Sequence, residues 1–413
     1  MDDVVVNEAQ SCGSGSKQQM RSTTSHHAYA ERTVQHLAAG PWRPVFHQGH
    51  LFVLNAETAI WEPYDQEELA CLVAELNDGR ANCKRRTDYT GIADQVLSIA
   101  ANGSFFEEAP VGLACAGGFY RVVDDSVVVE PLSADHRQRV MLTFEPRDDE
   151  TPLFKAFLHE TFECESPEEE EQQTQLVQEI AGAVLLGIMP RYHKAVLFYD
   201  PYGRAGKGTL ERIIRQLVPE PFTSAVSPFK WDKEYYLASL NGSRLNVVGE
   251  LPEGEMIPSS NFKSVIGGDL LAGRQPTKPV VTFHNEAAHI FTSNHLIATR
   301  DQSEAFFSRW LLIEFPNSLL LSGRPLDPGL ANRIITRELP GIAHWALQGG
   351  IRVLQRGGFS TSRVHDRLMA KWRRSSNSVD EFIHECCDVA AEHHDRRSMF
   401  YAAYKSWCHD NGC

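Results

Sequence analysis

An α/β fold built on a parallel sheet is predicted by three features of this 413-residue sequence. Short apolar runs recur in its second half: AVLFYD at 195–200, RLNVVGE at 244–250, AHIFTSN at 288–294 and RWLLIEF at 309–315. Strands buried on both faces read as such runs, and helical stretches between them imply parallel pairing. The first run leads into a glycine-rich turn, PYGRAGKGT at 201–209, and then into the amphipathic stretch LERIIRQLV at 210–218. Strand, glycine-rich turn and helix is the setting that a P-loop requires.

A hydrophobic fraction of 42% with 9% aromatics excludes a mostly disordered chain, because enough apolar surface exists to offset the entropy of ordering it. The net charge of −14 excludes coating nucleic acid by bulk attraction, so any such contact must be local. No run reaches the length of a membrane span, and the amino terminus lacks a basic start followed by an apolar stretch, so no membrane association and a cytoplasmic location are expected. Nine cysteines, odd in number and without Cys-x-x-Cys spacing, fit reduced thiols. His384, Cys386, Cys387, His393 and His394 form the one cluster suggestive of zinc, but their adjacent pairing matches no standard ligand spacing, and no site is expected.

Along the chain, residues 1–35 have the Ser, Gln, Gly and Thr composition of a disordered tail. Residues 36–148 alternate short apolar runs such as HLFVLN and GFYRVV with helical patterns, which predicts a small α+β domain. Between residues 145 and 171 eleven acids face two cations, a net of −9, which reads as a solvated face or flexible joint. Within and after it, LFKAFLHETF and TQLVQEIAGAVLLGI carry helical spacing, so residues 149–192 form a helical module. The sheet-forming region spans 193–322, helices are expected over 323–374, and a small unit occupies 375–413.

Each residue of the turn has a chemical reason. Gly203 and Gly206 let backbone N–H groups approach phosphate oxygens, and the Lys207 ammonium reaches the outer phosphates from the start of a helix. Two positions depart from the usual pattern: Pro201 stands where a glycine is normal, and Gly208 where a Ser or Thr normally binds Mg²⁺. Thr209 is therefore the hydroxyl candidate, on phosphate or through water. Glu250 ends an apolar strand, where a carboxylate holds Mg²⁺ or polarises water, with Glu253 and Glu255 as alternatives. Asn294 ends another strand and can orient water without adding charge. Arg309 opens the last strand and suits either an arginine finger offered to a neighbouring subunit or a surface salt bridge. Arg274 and Lys278 flank a hairpin tip and, with Lys263, make a positive element in an acidic chain.

These elements in this order resemble superfamily 3 helicases, specifically the helicase part of phage and plasmid primase-helicases related to the poxvirus NTPase. The matching text runs from about residue 150 to 316 and includes QEIAGAVLLG, HKAVLFYDPYGRAGKGTL, LNVVGELPEG, FKSVIGGDLLAGRQPTKP, HIFTSN and AFFSRWLLIEFP. The resemblance implies an AAA+-like ring, a hexamer that hydrolyses ATP with Mg²⁺ between subunits and draws single-stranded DNA through its pore. It implies Walker A roles for Gly203, Gly206, Lys207, Gly208 and Thr209, Walker B for Glu250, sensor 1 for Asn294 and the finger for Arg309. Thr209 and Glu250 become the Mg²⁺ ligands, and Arg274 and Lys278 the DNA-gripping hairpin. Residues 149–192 become an oligomerising collar and 375–413 a truncated winged-helix-like segment.

Three alternatives are set against it. Adenylate-kinase loops also read Gly-Lys-Gly-Thr, but they sit at the amino terminus and need a downstream Asp-Gly-Phe/Tyr-Pro-Arg element that is absent. The adjacent Asp124 and Asp125 do not make the spaced pair of a primase. A degenerate P-loop ATPase that binds nucleotide or assembles without unwinding DNA is the remaining rival, motivated by Pro201 and Gly208.

Overall fold

The computed structural model describes residues 20–77, 80, 82–276 and 279–411. They fall into two compact units, one of the described residues up to Ala109 with Ser133–Arg139, the other of Pro110–Leu132 and Val140 onward.

The first unit contains α1 (Met20–Leu37), an antiparallel sheet of β1 (Val45–His47), β2 (His50–Asn55) and β3 (Ile60–Tyr64), then α2 (Gln66–Asn77) and α3 (Arg86–Ala100). Its core joins Ala30, Val34, Leu69, Val73, Ile92 and Val96. The sequence places residues 20–35 in a disordered tail, and the structure corrects this. Ala30 and Val34, one helical turn apart, are fully buried, so a narrow apolar stripe suffices to dock α1 despite its polar composition. Residues 1–19 of the expected tail lie outside the described residues.

The second unit opens with β4 (Gly112–Cys115), β5 (Gly118–Val123), β6 (Ser126–Glu130) and β7 (Met141–Leu142), a sheet in the order β6-β5-β4-β7. Leu113, Cys115 and Leu142 share a core with Phe154 and Leu176 of the following helices. The α+β domain drawn over 36–148 is therefore divided, and its last strands belong to the larger unit. Local alternation marks a strand but does not encode what covers its apolar face.

Next come α4 (Pro152–Phe162) and α5 (Pro167–Leu185), followed by β8 (Ala195–Tyr199), α6 (Lys207–Arg215), β9 (Thr223–Ser224), α7 (Glu234–Ala238) and β10 (Leu245–Val248). Then follow α8 (Ser259–Gly267), the hairpin β11 (Leu270–Arg274) and β12 (Val280–His284), β13 (Ala288–Ser293), α9 (Glu304–Phe307) and β14 (Trp310–Glu314). The chain continues through α10 (Leu319–Ser322), α11 (Leu330–Arg356), α12 (Arg363–Ser375), α13 (Ser378–Cys386) and α14 (Arg397–Asn411). The protein is thus mixed α/β, with a five-stranded sheet in the order β14-β8-β13-β10-β9 whose neighbours all pair in parallel. Alternate residues of β8 serve two cores: Val196 and Phe198 meet Ile180, Ile213 and Ile342, while Leu197 and Tyr199 meet Trp231, Phe262 and Trp310.

Most acids of the 145–171 run are exposed, as a solvated face would be, but those at 168–171 begin a packed helix and not a flexible joint. Ser166 caps α5 through the Glu169 N–H at 3.4 Å, and Glu168, Glu169 and Glu170 fill the first turn, where the helix dipole favours negative charge. Arg367 of α12 grips Glu169 with bonds of 2.6 and 2.7 Å, and Arg363 meets Glu168 at 3.1 Å. The pairing partner lies about 200 residues away in sequence, beyond the reach of local charge counting. The rest of α5 is buried within the chain, with Gly182 pressed on α11. Residues 375–411 hold α13 and α14 around Phe382, Phe400 and Trp407, and among these described residues no strand forms the wing that a winged helix needs. Among the described residues no helix is long and apolar enough to cross a membrane.

The α5–α11 crossing makes a sharp prediction. A Cβ on Gly182 would lie 2.1 Å from the Ala346 carbonyl oxygen and 2.2 Å from the Gly350 nitrogen, both backbone atoms that cannot rotate away. Gly182→Ala should destabilise the second unit by about 3 kcal/mol through overpacking. An unchanged denaturant midpoint would contradict this packing.

Candidate functional site

The carboxyl ends of β8, β13 and β10, adjacent in the sheet, open onto one edge, the usual place for ligands in open parallel sheets. The loop leaving β8 is held from several sides. Asp200, 1% exposed, accepts hydrogen bonds from the backbone N–H groups of Tyr202 (3.2 Å), Gly203 (2.7 Å) and Ala205 (3.1 Å). Ser318 donates its hydroxyl to the Gly203 carbonyl at 2.6 Å, and the Leu319 N–H reaches the Arg204 carbonyl at 3.2 Å. Gly206 has φ = 98°, and a Cβ there would fall 3.0 Å from the Phe157 ring and 3.2 Å from the Thr161 hydroxyl, so both conformation and space require glycine.

The wall behind Gly206 is α4, and it is fixed in turn. Glu338 of α11 caps its amino end, accepting from the Leu153 and Phe154 N–H groups at 2.9 and 2.8 Å. Asn317 donates to carbonyls at the other end, including that of Glu163 at 2.8 Å. The loop therefore sits in a rigid frame made from segments far apart in the chain.

Helix α6 begins at Lys207, so the N–H groups of Lys207 and Gly208 have no intrahelical acceptor and face outward with the positive end of the helix dipole. The half-buried Lys207 ammonium donates to the Ser293 carbonyl at 3.0 Å and to the Asn294 side-chain oxygen. Burial lowers its pKa, with Asp200 and Glu250 opposing the shift. Asn294 donates through Nδ2 to Glu250 at 3.2 Å. One chain of contacts thus joins Lys207, Asn294 and Glu250, and it singles out Glu250 from Glu253 and Glu255.

Gly208 is exposed, and a side chain there would meet nothing within 4 Å. Space therefore does not require glycine at this position. Thr209 follows in the first turn, its N–H bonded to the Gly206 carbonyl at 3.0 Å. Among the described residues no group of three His, Cys, Asp or Glu side chains could hold a metal alone.

The remaining sequence-derived residues lie elsewhere. Trp310 pairs with Ala195, so Arg309 stands at the amino ends of the strands, opposite the loop and roughly 15 Å away along β8. Its guanidinium donates to the Ala305 carbonyl and packs on Gly267, its Nε has no hydrogen-bond partner, and among the described residues it forms no ion pair. Among the described residues the salt-bridge alternative for Arg309 therefore finds no partner. Lys263, partly exposed, pairs with Asp301 at 2.9 Å. Arg274 is exposed on the hairpin, while Lys278 lies outside the described residues.

Asp200, Ser318, Asn317 and Glu338 are the supports that sequence reasoning missed. Asp200 carried a usable signal, because Asp before a Pro-x-Gly turn favours bonds from its carboxylate to its own following backbone. The other three act across more than 100 residues and leave no local trace.

A family model for a family of unknown function, DUF5906, matches residues 200–309, a stretch that begins at Asp200 and ends at Arg309. No curated protein matches. Among solved structures the chain is similar to the A-form apo structure of the NrS-1 C-terminal region, with 13% identity, a TM-score of 0.47, and coverage of 80% of this chain and 72% of that one. It is also similar to the apo structure of NrS-1 C-terminal region 305–718, with 12% identity, a TM-score of 0.45, and coverage of 87% and 82%.

Removing the Asp200 carboxylate leaves three loop N–H groups without their acceptor. Asp200→Ala should cost roughly 2 kcal/mol and speed amide hydrogen exchange at Gly203 and Ala205 while leaving α11 protected. Unchanged exchange at those two amides would show that the loop does not depend on Asp200.

Proposed function

We propose that this chain is an ATP hydrolase with a P-loop, AAA+-like core, working as an ATP-dependent replicative DNA helicase of a phage, plasmid or integrated element. The observation that carries the proposal is the Lys207–Asn294–Glu250 chain at the mouth of a glycine loop and helix start. These are a phosphate cation, a neutral amide and a carboxylate, the three groups that in-line attack of water on a terminal phosphate requires.

In this proposal the outward N–H groups of Lys207 and Gly208 bind phosphate oxygens, and the Lys207 ammonium exchanges Ser293 and Asn294 for the transferred group. That exchange frees Asn294 to orient a water molecule, and Glu250 accepts its proton. Mg²⁺, when bound through Thr209 and Glu250, neutralises charge on the phosphates. Arg309 stands at the strand ends opposite its own loop, so in this proposal it serves a neighbour's nucleotide, in a ring taken to be a hexamer. Single-stranded DNA contact is assigned to Arg274 and Lys278 of the hairpin, as a net charge of −14 demands a local cation source.

A second reading, nucleotide binding or assembly without unwinding, is favoured by Gly208, which supplies no hydroxyl for Mg²⁺. Turnover separates the two. The proposal expects ATP hydrolysis stimulated by single-stranded DNA, abolished in Lys207→Ala, and partly restored when Lys207→Ala and Arg309→Ala subunits are mixed. Turnover surviving Lys207→Ala would refute the loop assignment, and absence of rescue in assembled mixtures would refute the role of Arg309 in trans.

A further inference from the structure

The segment before β10 exposes two aromatic rings that neither the core nor the phosphate site uses. Tyr235 and Tyr236, neighbours in α7, are 49% and 42% exposed. Each has a cation over its ring: Arg274 of the hairpin lies 5.6 Å from the Tyr235 centroid, and Lys230 lies 4.9 Å from that of Tyr236. Arg274 also donates to the Tyr235 hydroxyl at 3.0 Å, which orients guanidinium and ring together.

Adjacent residues of a helix point about 100° apart, so the two rings offer two stacking positions rather than one flat surface, and both are built on rigid parts. Trp231, fully buried, stacks on Phe262 at 6.0 Å and anchors the start of the segment. On the hairpin side a Cβ at Gly273 would lie 2.8 Å from the Ala238 backbone, so β11 sits directly against α7. Exposed tyrosines held in this way lose little entropy when a flat partner stacks on them.

The local charge shows what kind of partner suits the face. Lys230, Lys233 and Arg274 supply three cations, but Asp232 pairs with Lys233 at 2.9 Å and Glu234 lies 3.9 Å from Arg274. Near neutrality leaves little for phosphate alone, so the rings must supply most of the attraction. Bases of a single strand have exposed π-faces, whereas a duplex hides them within its stack.

We propose that Tyr235 and Tyr236, with Arg274 and Lys230, form a base-stacking platform for single-stranded DNA beside the hairpin. The proposal rests on the DNA-binding reading above and adds that the strand is held through its bases more than through its phosphates.

The test is fluorescence anisotropy of the full chain with a labelled 20-mer of thymidylate, its abasic counterpart and a 20-mer of uridylate. The thymidylate oligomer should bind more tightly than the abasic one. Tyr235→Ala and Tyr236→Ala should each weaken thymidylate binding by about tenfold or more, while Tyr235→Phe and Tyr236→Phe, which keep the rings, should stay close to the unsubstituted chain. If the unsubstituted chain binds no oligomer, the DNA reading falls and the platform with it. If it binds thymidylate and abasic oligomers equally, or if the alanine variants bind as well as the original, the platform alone is overturned. Tighter uridylate binding would overturn the assignment to DNA. Should the alanine variants fail to fold, photocrosslinking of a 5-iododeoxyuridine oligomer to the unsubstituted chain decides the matter. Crosslinks at Tyr235 or Tyr236 support the platform, and crosslinks confined to other residues overturn it.

Discussion

A half-buried ammonium needs oxygen partners, and Lys207 finds them on the strand beside its own, at the Ser293 carbonyl and the Asn294 amide. That requirement organises the surrounding edge of the sheet. It ties the helix following β8 to the end of β13, and Asn294 extends the tie to Glu250 beyond β10. Because the three strands are adjacent and parallel, groups separated by up to 87 residues in sequence meet at a single place. In the function proposed above, this cation exchanges its present neutral partners for a phosphate oxygen.

The loop that carries Lys207 is prepared before any ligand arrives. Asp200 gathers three of its N–H groups from within, Ser318 and Leu319 fasten two of its carbonyls, and Phe157 and Thr161 back Gly206. The same interactions leave the N–H groups of Lys207 and Gly208 outward. If the loop binds phosphate as proposed above, holding it in one shape beforehand reduces the ordering entropy lost on binding. Distant supports, above all Glu338 of α11 capping the start of α4, hold the helix that backs the loop.

The sequence was most legible where structure is local. The apolar runs that become β8, β10, β13 and β14 and the glycine turn between β8 and α6 are encoded within a few residues each. Their convergence on Lys207, Asn294 and Glu250 follows from the parallel topology that such runs impose. What was not legible depends on distant partners. The acids at 168–170 look like a loose joint until Arg363 and Arg367 are brought beside them, and Lys263 looks like a free cation until Asp301 takes it. Residues 20–35 hid a docked helix behind polar composition, and the strands after Pro110 gave no sign of which core they join. Arg309 was recognisable as a cation at a strand start, but its distance from the loop is a matter of strand direction and register.

The central claim is that the Lys207 site is built for the outer phosphates of a nucleotide. Titration calorimetry comparing ATP with AMP on the unsubstituted chain tests it directly, because the two ligands share base, sugar and first phosphate and differ only in the groups that Lys207 and the start of α6 would hold. The account predicts that ATP binds at least about tenfold more tightly, equivalent to about 1.4 kcal/mol, reflecting charge-assisted hydrogen bonds that AMP lacks. Equal affinity for ATP and AMP would contradict it.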